Sequence, residues 1–164
     1  MNSSKKEKIV IATINKEHNK IIKSQKYLKN YDIIIVNSRS DLNKKLSNKI
    51  NKVFFLHWRW KVSQKIIKNF CCICFHMTKL PFGRGGSPLQ NLILLDKKNT
   101  HLTAFMMTNL MDEGPVYYRN KLNLAGSADE IYKRAAILSL KMISKILKTK
   151  KKPKKQTGKI TFFK

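Results

Sequence analysis

The sequence predicts an α/β domain of Rossmann-like type, a mostly parallel sheet flanked by helices. Three observations carry that expectation. Short runs of β-branched and aromatic residues recur along the chain, and segments with helical spacing separate them. A turn rich in glycine and proline, "LPFGRGGSP" (80–88), follows the fourth run. Strands that alternate with helices pair in parallel, and their ligand sites lie beyond the carboxyl ends of the strands.

The elements follow in order. "KIVIATI" (8–14) has the pattern of a buried strand, and 16–28 that of a helix. "YDIIIVNS" (31–38) is the second strand. "SRSDLNKKLSNKI" (38–50) offers a helix with Ser40 as its N-cap, before Asp41 and Leu42. "KVFFLHW" (52–58) is the third strand, "VSQKIIKNF" (62–70) a short helix and "CCICFH" (71–76) the fourth strand. "SPLQNLILL" (87–95) reads as a helix capped by Ser87 with Pro88 at its first position. "THLTAFMMT" (100–108) is a further strand, and 109–124 a loop followed by an extended segment. The clearest helix is "SADEIYKRAAILSLKMISKIL" (127–147). Ser127 and Glu130 form a capping box there, and Ile131, Ala135, Leu138, Met142 and Ile146 recur at helical spacing. The organisation expected is one domain over 1–150 and a basic tail over 151–164. The tail breaks at Pro153, carries solvated, mobile lysines and ends in "KITFFK", a terminal strand.

Bulk properties narrow the function. A chain of 164 residues holds one domain with a real core. No apolar run approaches the ~20 residues that span a bilayer, and the charged start "MNSSKKEKIVIAT" has too short an apolar part for a signal peptide. The expectation is a cytoplasmic protein that does not engage membranes. The net charge of +26 attracts polyanions non-specifically. Yet only five of the 35 basic residues are arginine, the type favoured for phosphate and base recognition, so a dedicated nucleic-acid face is not expected. Cys71, Cys72 and Cys74 are an odd cluster, which is no disulfide framework. On a strand Cys72, Cys74 and His76 share one face, but no second C-x-x-C pair completes a zinc site; the expectation is reduced core cysteines and no metal.

Two residues stand out chemically. His76 ends a buried strand and opens the glycine-rich turn, where imidazole can exchange a proton near neutral pH. The alternative is a histidine satisfied by the backbone of the turn. Asp112 lies in "MDEGP", one of only nine acidic residues, between a strand and a Gly-Pro turn. It either orients an imidazole or makes an Asx-type turn.

Three separated blocks, "FHMTKLPFGRGGSPLQNLI", "THLTAFMMTNLMDEGP" and "LAGSADEIYKRAA", resemble the formyltransferase superfamily in order and spacing. Its motif H-x-S-x-L-P-x-x-R-G-x-x-P corresponds here to His76, Thr78, Leu80, Pro81, Arg84, Gly85 and Pro88. Its D-x-G-P loop corresponds to Asp112, Gly114 and Pro115. The "HW-x-W" strand end and the long block after it are similar to the enzymes that formylate a nucleotide-linked amino sugar on the pseudaminic-acid route. The resemblance implies formyl transfer from N10-formyltetrahydrofolate to such an amino sugar, or else to another amine such as methionyl-tRNA. A shortened, non-catalytic relative of the same fold is the other alternative.

The resemblance also assigns residues. It implies that His76 stabilises the tetrahedral intermediate and assists proton movement, with Asp112 orienting it. The folate is expected along Arg59, Trp60, Lys61 and Val62, with Leu80 and Met111. The amine substrate is expected against Arg84, Gly85, Gly86 and Gln90; Arg84 holds a substrate phosphate or fixes the loop. The family's catalytic asparagine stands two residues before the histidine, and Cys74 occupies that slot. A thiol is a poorer donor than an amide, and His57 is the candidate replacement. The partner implied is thus a small molecule. Nothing in these residues is expected to form the β-barrel that methionyl-tRNA formyltransferases carry. It stops at "Q-x-G-x-x-T-x-F-K" (Gln156, Gly158, Thr161, Phe163, Lys164), where family members often continue. The last strands, or the hairpin of a homodimer, are expected beyond that point.

Overall fold

The computed structural model describes residues 6–149 and 151–163; Lys164, which closes the expected terminal strand, lies outside them. Six strands form one sheet: β1 (Glu7–Ala12), β2 (Tyr31–Val36), β3 (Ile50–Phe55), β4 (Cys71–His76), β5 (Asn99–Met106) and β6 (Val116–Asn123). Five α-helices accompany them: α1 (Glu17–Ser24), α2 (Arg39–Lys45), α3 (Gln64–Asn69), α4 (Pro88–Leu94) and α5 (Ala128–Lys148). The sheet order is β2-β1-β3-β4-β5-β6. The first three pairings are parallel and the last two antiparallel. The expected α/β architecture is therefore present, with an antiparallel end made by β5, expected as a strand, and by β6, which reads only as "extended" in sequence.

Alternation along the strands divides the core. Ile9, Ile11, Phe54, Ile73 and Phe75 face one layer, which α1 and α5 cover. Val10, Ala12, Val53, Phe55 and Cys72 face the other, which α2 and α3 cover. This is the period of two that puts successive side chains on opposite sides of a sheet. α5 begins at the expected capping box: Ser127 accepts the Glu130 amide while the Glu130 carboxylate accepts the Ser127 amide. Among the described residues no helix is long and apolar enough to cross a membrane.

Four expectations change. α1 ends at Ser24, and 26–28 form a separate 3₁₀ turn. α2 is capped by Ser38, whose Oγ accepts the Asp41 amide at 3.1 Å; Ser40 is already inside the helix. The oxygen must reach back to the third helical amide, and only a residue with extended backbone, as at Ser38, can place it there. Ser87 precedes Pro88 as expected, but its backbone is left-handed (φ 49°) and its side chain caps nothing. The tail also differs. Lys154 pairs with Val116, and Thr161 and Phe163 bond the backbone of 81–84. Its lysines are exposed, but its backbone is bound to the domain rather than free, and an isolated bridge at Phe162 stands in place of a full terminal strand.

Ser38→Ala is expected to lower stability by about 1 kcal/mol, the usual worth of a side-chain N-cap, whereas Ser40→Ala is neutral to within roughly 0.5 kcal/mol. Equilibrium denaturation of the two variants reads the difference directly.

Candidate active site

Strand order reverses beside β1, so the connections leaving β1 and β3 run to opposite sides and open a crevice at their carboxyl ends. A cleft of roughly 860 Å³ occupies this place. It is lined by Ile14 after β1, by His57 to Val62 after β3, by Cys74 and His76 of β4, and by Thr108 to Asp112 after β5. Gly85, Gly86 and Gln90 line it as well.

His76 is 7% exposed and held on two sides. Its Nε2 lies 2.7 Å from Gly83 O, and its Nδ1 lies 3.7 Å from Asp112 Oδ2. A carbonyl can only accept, so Nε2 carries a proton and the lone pair of the neutral ring is on Nδ1. The backbone beyond His76 is pinned from β5: Thr100 Oγ1 donates to Met77 O at 3.0 Å and Thr103 Oγ1 to Thr78 O at 2.5 Å.

Asp112 reaches this histidine by an indirect path. β5 is antiparallel to β4, and Met107 N bonds Cys72 O, near the start of β4. The loop that follows must fold back to meet the histidine at the other end. Gly114 makes the fold possible, because a Cβ there would sit 1.6 Å from Met106 O. Asp112 itself is left-handed (φ 53°), a conformation that aspartate tolerates better than most residues. Its Oδ2 accepts the Gly85 amide at 2.8 Å, so one carboxylate oxygen touches both the glycine-rich turn and the histidine. Gly85 is also left without room for a side chain: a Cβ would come 2.7 Å from Phe163 O.

Cys74 shares the face of His76 and lines the cleft. Burial, and then the nearby Asp112 carboxylate, push its thiol far above the ordinary range. It is a neutral, weak donor there and not a thiolate. His57 leaves β3 in a left-handed conformation (φ 47°) and stacks on Tyr132 of α5, with ring centres 4.0 Å apart. Its ring is 6.1 Å from that of His18, whose Nδ1 is 2.9 Å from Thr13 Oγ1. Burial lowers both histidines, helped by His57 at His18 and by Arg59 at His57. His18 Nε2 and His57 Nδ1 are buried without a protein partner. Another wall is aromatic: Trp58 and Trp60 meet edge to face at 4.8 Å, and the Arg59 guanidinium lies over Trp60.

Most of the expected site residues are thus gathered in one cleft, and two are not. Leu80 is 1% exposed and packs with Phe105 and Val116, an inner apolar cluster that leaves it no surface for a ligand. Arg84 lies outside this cleft. Its guanidinium, 5% exposed, bonds Gln156 Oε1 at 3.0 Å and lies 3.5 Å from Glu113. These contacts tie the glycine-rich turn to the Asp112 loop and to the segment after α5. His18, Tyr132 and Gln156 are residues that sequence reading missed. His18 sits in a polar segment and Tyr132 within a helical stripe, so neither carries a local signal; Gln156 was visible only as part of the terminal motif.

No family model matches the chain. A methionyl-tRNA formyltransferase of known structure from Clostridium thermocellum superposes with a TM-score of 0.86 at 35% identity, over 95% of this chain and 71% of that one. The methionyl-tRNA formyltransferase of Thermodesulfovibrio yellowstonii is 26% identical over 97 residues, which is 56% of this chain and 32% of that protein. The chain spans about a third or less of the length of the curated relatives it matches. A formyltransferase from Anoxybacillus kamchatkensis, solved with UDP-4,6-dideoxy-4-formamido-L-AltNAc and tetrahydrofolate, has a TM-score of 0.64 at 16% identity, over 94% of this chain and 85% of that one; this likeness is one of fold.

The buried His18 gives a pH dependence. Its value falls from 6.5 to about 4 on folding. Between these values the unfolded chain binds the proton and the folded chain does not, so stability declines as the pH falls from 6.5 to 4. The loss from this group is about 3 kcal/mol, by the linkage between proton uptake and folding. His18→Gln is expected to flatten that part of the stability profile, measured by denaturant midpoints across the window.

Proposed function

The chain belongs to the formyltransferase superfamily, and on that premise we propose that it transfers a formyl group from N10-formyltetrahydrofolate to an amine bound in the cleft beside His76. The observation that carries this reading is the His76 Nε2 contact with Gly83 O, which leaves Nδ1 as the acceptor facing the cleft. The folate supplies an activated formyl carbon and a nitrogen leaving group. As the amine nitrogen bonds to that carbon, Nδ1 of His76 takes its proton and later returns it to the departing nitrogen. Asp112, 3.7 Å away, stabilises the imidazolium formed in between. The protonated ring then offers an N–H to the developing oxyanion, beside the weaker S–H of Cys74. His57, kept neutral by burial, offers one further N–H or lone pair to a bound substrate.

The folate fits the wall formed by Trp58, Arg59, Trp60, Lys61, Val62 and Met111. This wall combines aromatic faces with loop backbone, which suits a flat ring with hydrogen-bonding edges. For the amine, we take a nucleotide-linked amino sugar as the first reading. It rests on the "HWRW" strand end and the "FHMTKLPFGRGGSPLQNLI" block, with Gly85, Gly86 and Gln90 at the substrate end. Methionyl-tRNA is the second reading, favoured by the 35% identical relative and by a net charge of +26 that attracts polyanions.

Turnover assays with N10-formyltetrahydrofolate and either an amino-sugar nucleotide panel or methionyl-tRNA separate the two, read as tetrahydrofolate release. Release with neither class sinks the proposal. His76→Ala and Asp112→Asn are each expected to reduce kcat by roughly 10²- to 10⁴-fold, the usual worth of a general acid–base group, without loss of the folded state. Cys74→Asn is expected to change kcat at least about tenfold, since donors at a developing oxyanion act in the transition state.

A further inference from the structure

The segment after α5 is tied to both loops of the site. Lys154 and Val116 exchange backbone bonds at 2.7 and 2.9 Å, which starts the segment beside the Asp112 loop. Gln156 Nε2 then donates to Asp112 O and to Gly114 O, both at 2.8 Å. Its Oε1 accepts from the buried Arg84 at 3.0 Å. Further on, Thr161 Oγ1 accepts the Gly83 amide at 2.7 Å, and Thr161 O accepts the Arg84 amide at 2.9 Å. Gly83 is the residue whose carbonyl receives His76 Nε2.

These contacts make a chemical pattern. The two groups assigned to proton transfer sit on different elements, and one terminal segment grips the backbone of each. Asp112 is left-handed, a conformation that persists only where its surroundings impose it. A single amide group that donates to the carbonyls on either side of Glu113 fixes the path of the chain through Asp112. Glutamine is suited to this because it donates to two carbonyls and still accepts from arginine; a carboxylate of the same size cannot donate.

We propose that residues 154–163 are a positioning element for the His76–Asp112 pair. Gln156 sets the aspartate, and Thr161 sets the histidine's partner through the Gly83 peptide. In this scheme Arg84 acts as the orienter of Gln156. The inference rests on the proposed formyl transfer for its effect on rate, but its geometric part can be read without any substrate.

The test uses the full chain and Gln156→Glu, which keeps size and the Arg84 contact but removes both donated bonds. Amide hydrogen exchange at Gly85, whose N–H is held by Asp112, reports the aspartate. Exchange there is expected to quicken at least about tenfold, while the amides of α5 stay protected. In turnover, kcat is expected to fall about 10- to 100-fold with the KM for the folate within about twofold, and the variant is expected to add less than about threefold to the loss caused by Asp112→Asn, because both act through one group. Gln156→Ala serves the same comparison if the added charge unfolds the chain. Unchanged Gly85 exchange in the folded variant, or losses that multiply with Asp112→Asn, overturn the proposal. If the wild type formylates neither class of amine, the proposed function falls, and the exchange measurement alone decides the positioning role.

Discussion

One oxygen of Asp112 organises the site. It accepts the Gly85 amide at 2.8 Å and stands 3.7 Å from Nδ1 of His76, so the glycine-rich turn and the histidine are referred to a single charge. Much of the surrounding structure serves to bring that oxygen there. The antiparallel pairing of β5 with β4 delivers the following loop to the wrong end of β4, and the loop has to return. Its return depends on Gly114 lying flat on Met106 and on a left-handed turn at Asp112. Neither would hold as an isolated loop. The backbone bonds from Met106 to Pro115 and from Val116 to Lys154 close it on both sides.

The charges of the cleft divide into two groups. His76 has a carboxylate within reach and a fixed acceptor for its second nitrogen, the geometry on which the proposed proton transfer rests. His18 and His57 have each other, Thr13, Tyr132, the Arg59 cation and buried surroundings, and burial first of all holds them neutral. Two histidines that look alike in sequence, His57 and His76, each at the end of a strand, therefore differ in chemistry. The difference comes from the Asp112 carboxylate, which stands 3.7 Å from His76. Cys74 sits beside that acid too, and burial with a neighbouring negative charge keeps its proton in place.

Arg84 shows how a motif position can be filled with a different task in view. In the sequence it stands within a glycine-rich turn, and the family resemblance gives it either a substrate phosphate to hold or the loop to fix. In the folded chain its guanidinium turns to Glu113 and Gln156 and is almost fully enclosed. Enclosure of a guanidinium needs acceptors around it; the loop and the terminal segment supply them for its two terminal nitrogens, while Nε is buried without a partner. The arginine thereby links three parts of the chain that are far apart in sequence.

The sequence by itself determined the fold class and most of the elements in their order along the chain. Short apolar runs of β-branched and aromatic residues marked β1 to β5, helical spacing and a capping box marked α5, and the blocks around His76, the glycines and Asp112 carried the resemblance to the family and named most of the residues that line the cleft. The strands and the cap were legible because each is set by residues within one or two turns of each other, and the motif blocks because they keep the order and spacing of the superfamily. Tertiary structure decided the rest. Ser38 rather than Ser40 caps α2 because the backbone angle, not the residue type, selects the cap. Leu80 is buried and Arg84 turned away because of partners on β5, β6 and the segment after α5. The grip of Gln156 on Asp112 joins residues 44 apart, and that of Thr161 on Gly83 residues 78 apart. No local pattern encodes such contacts, since they exist only once the sheet has brought the two ends of the chain to the same edge of the cleft.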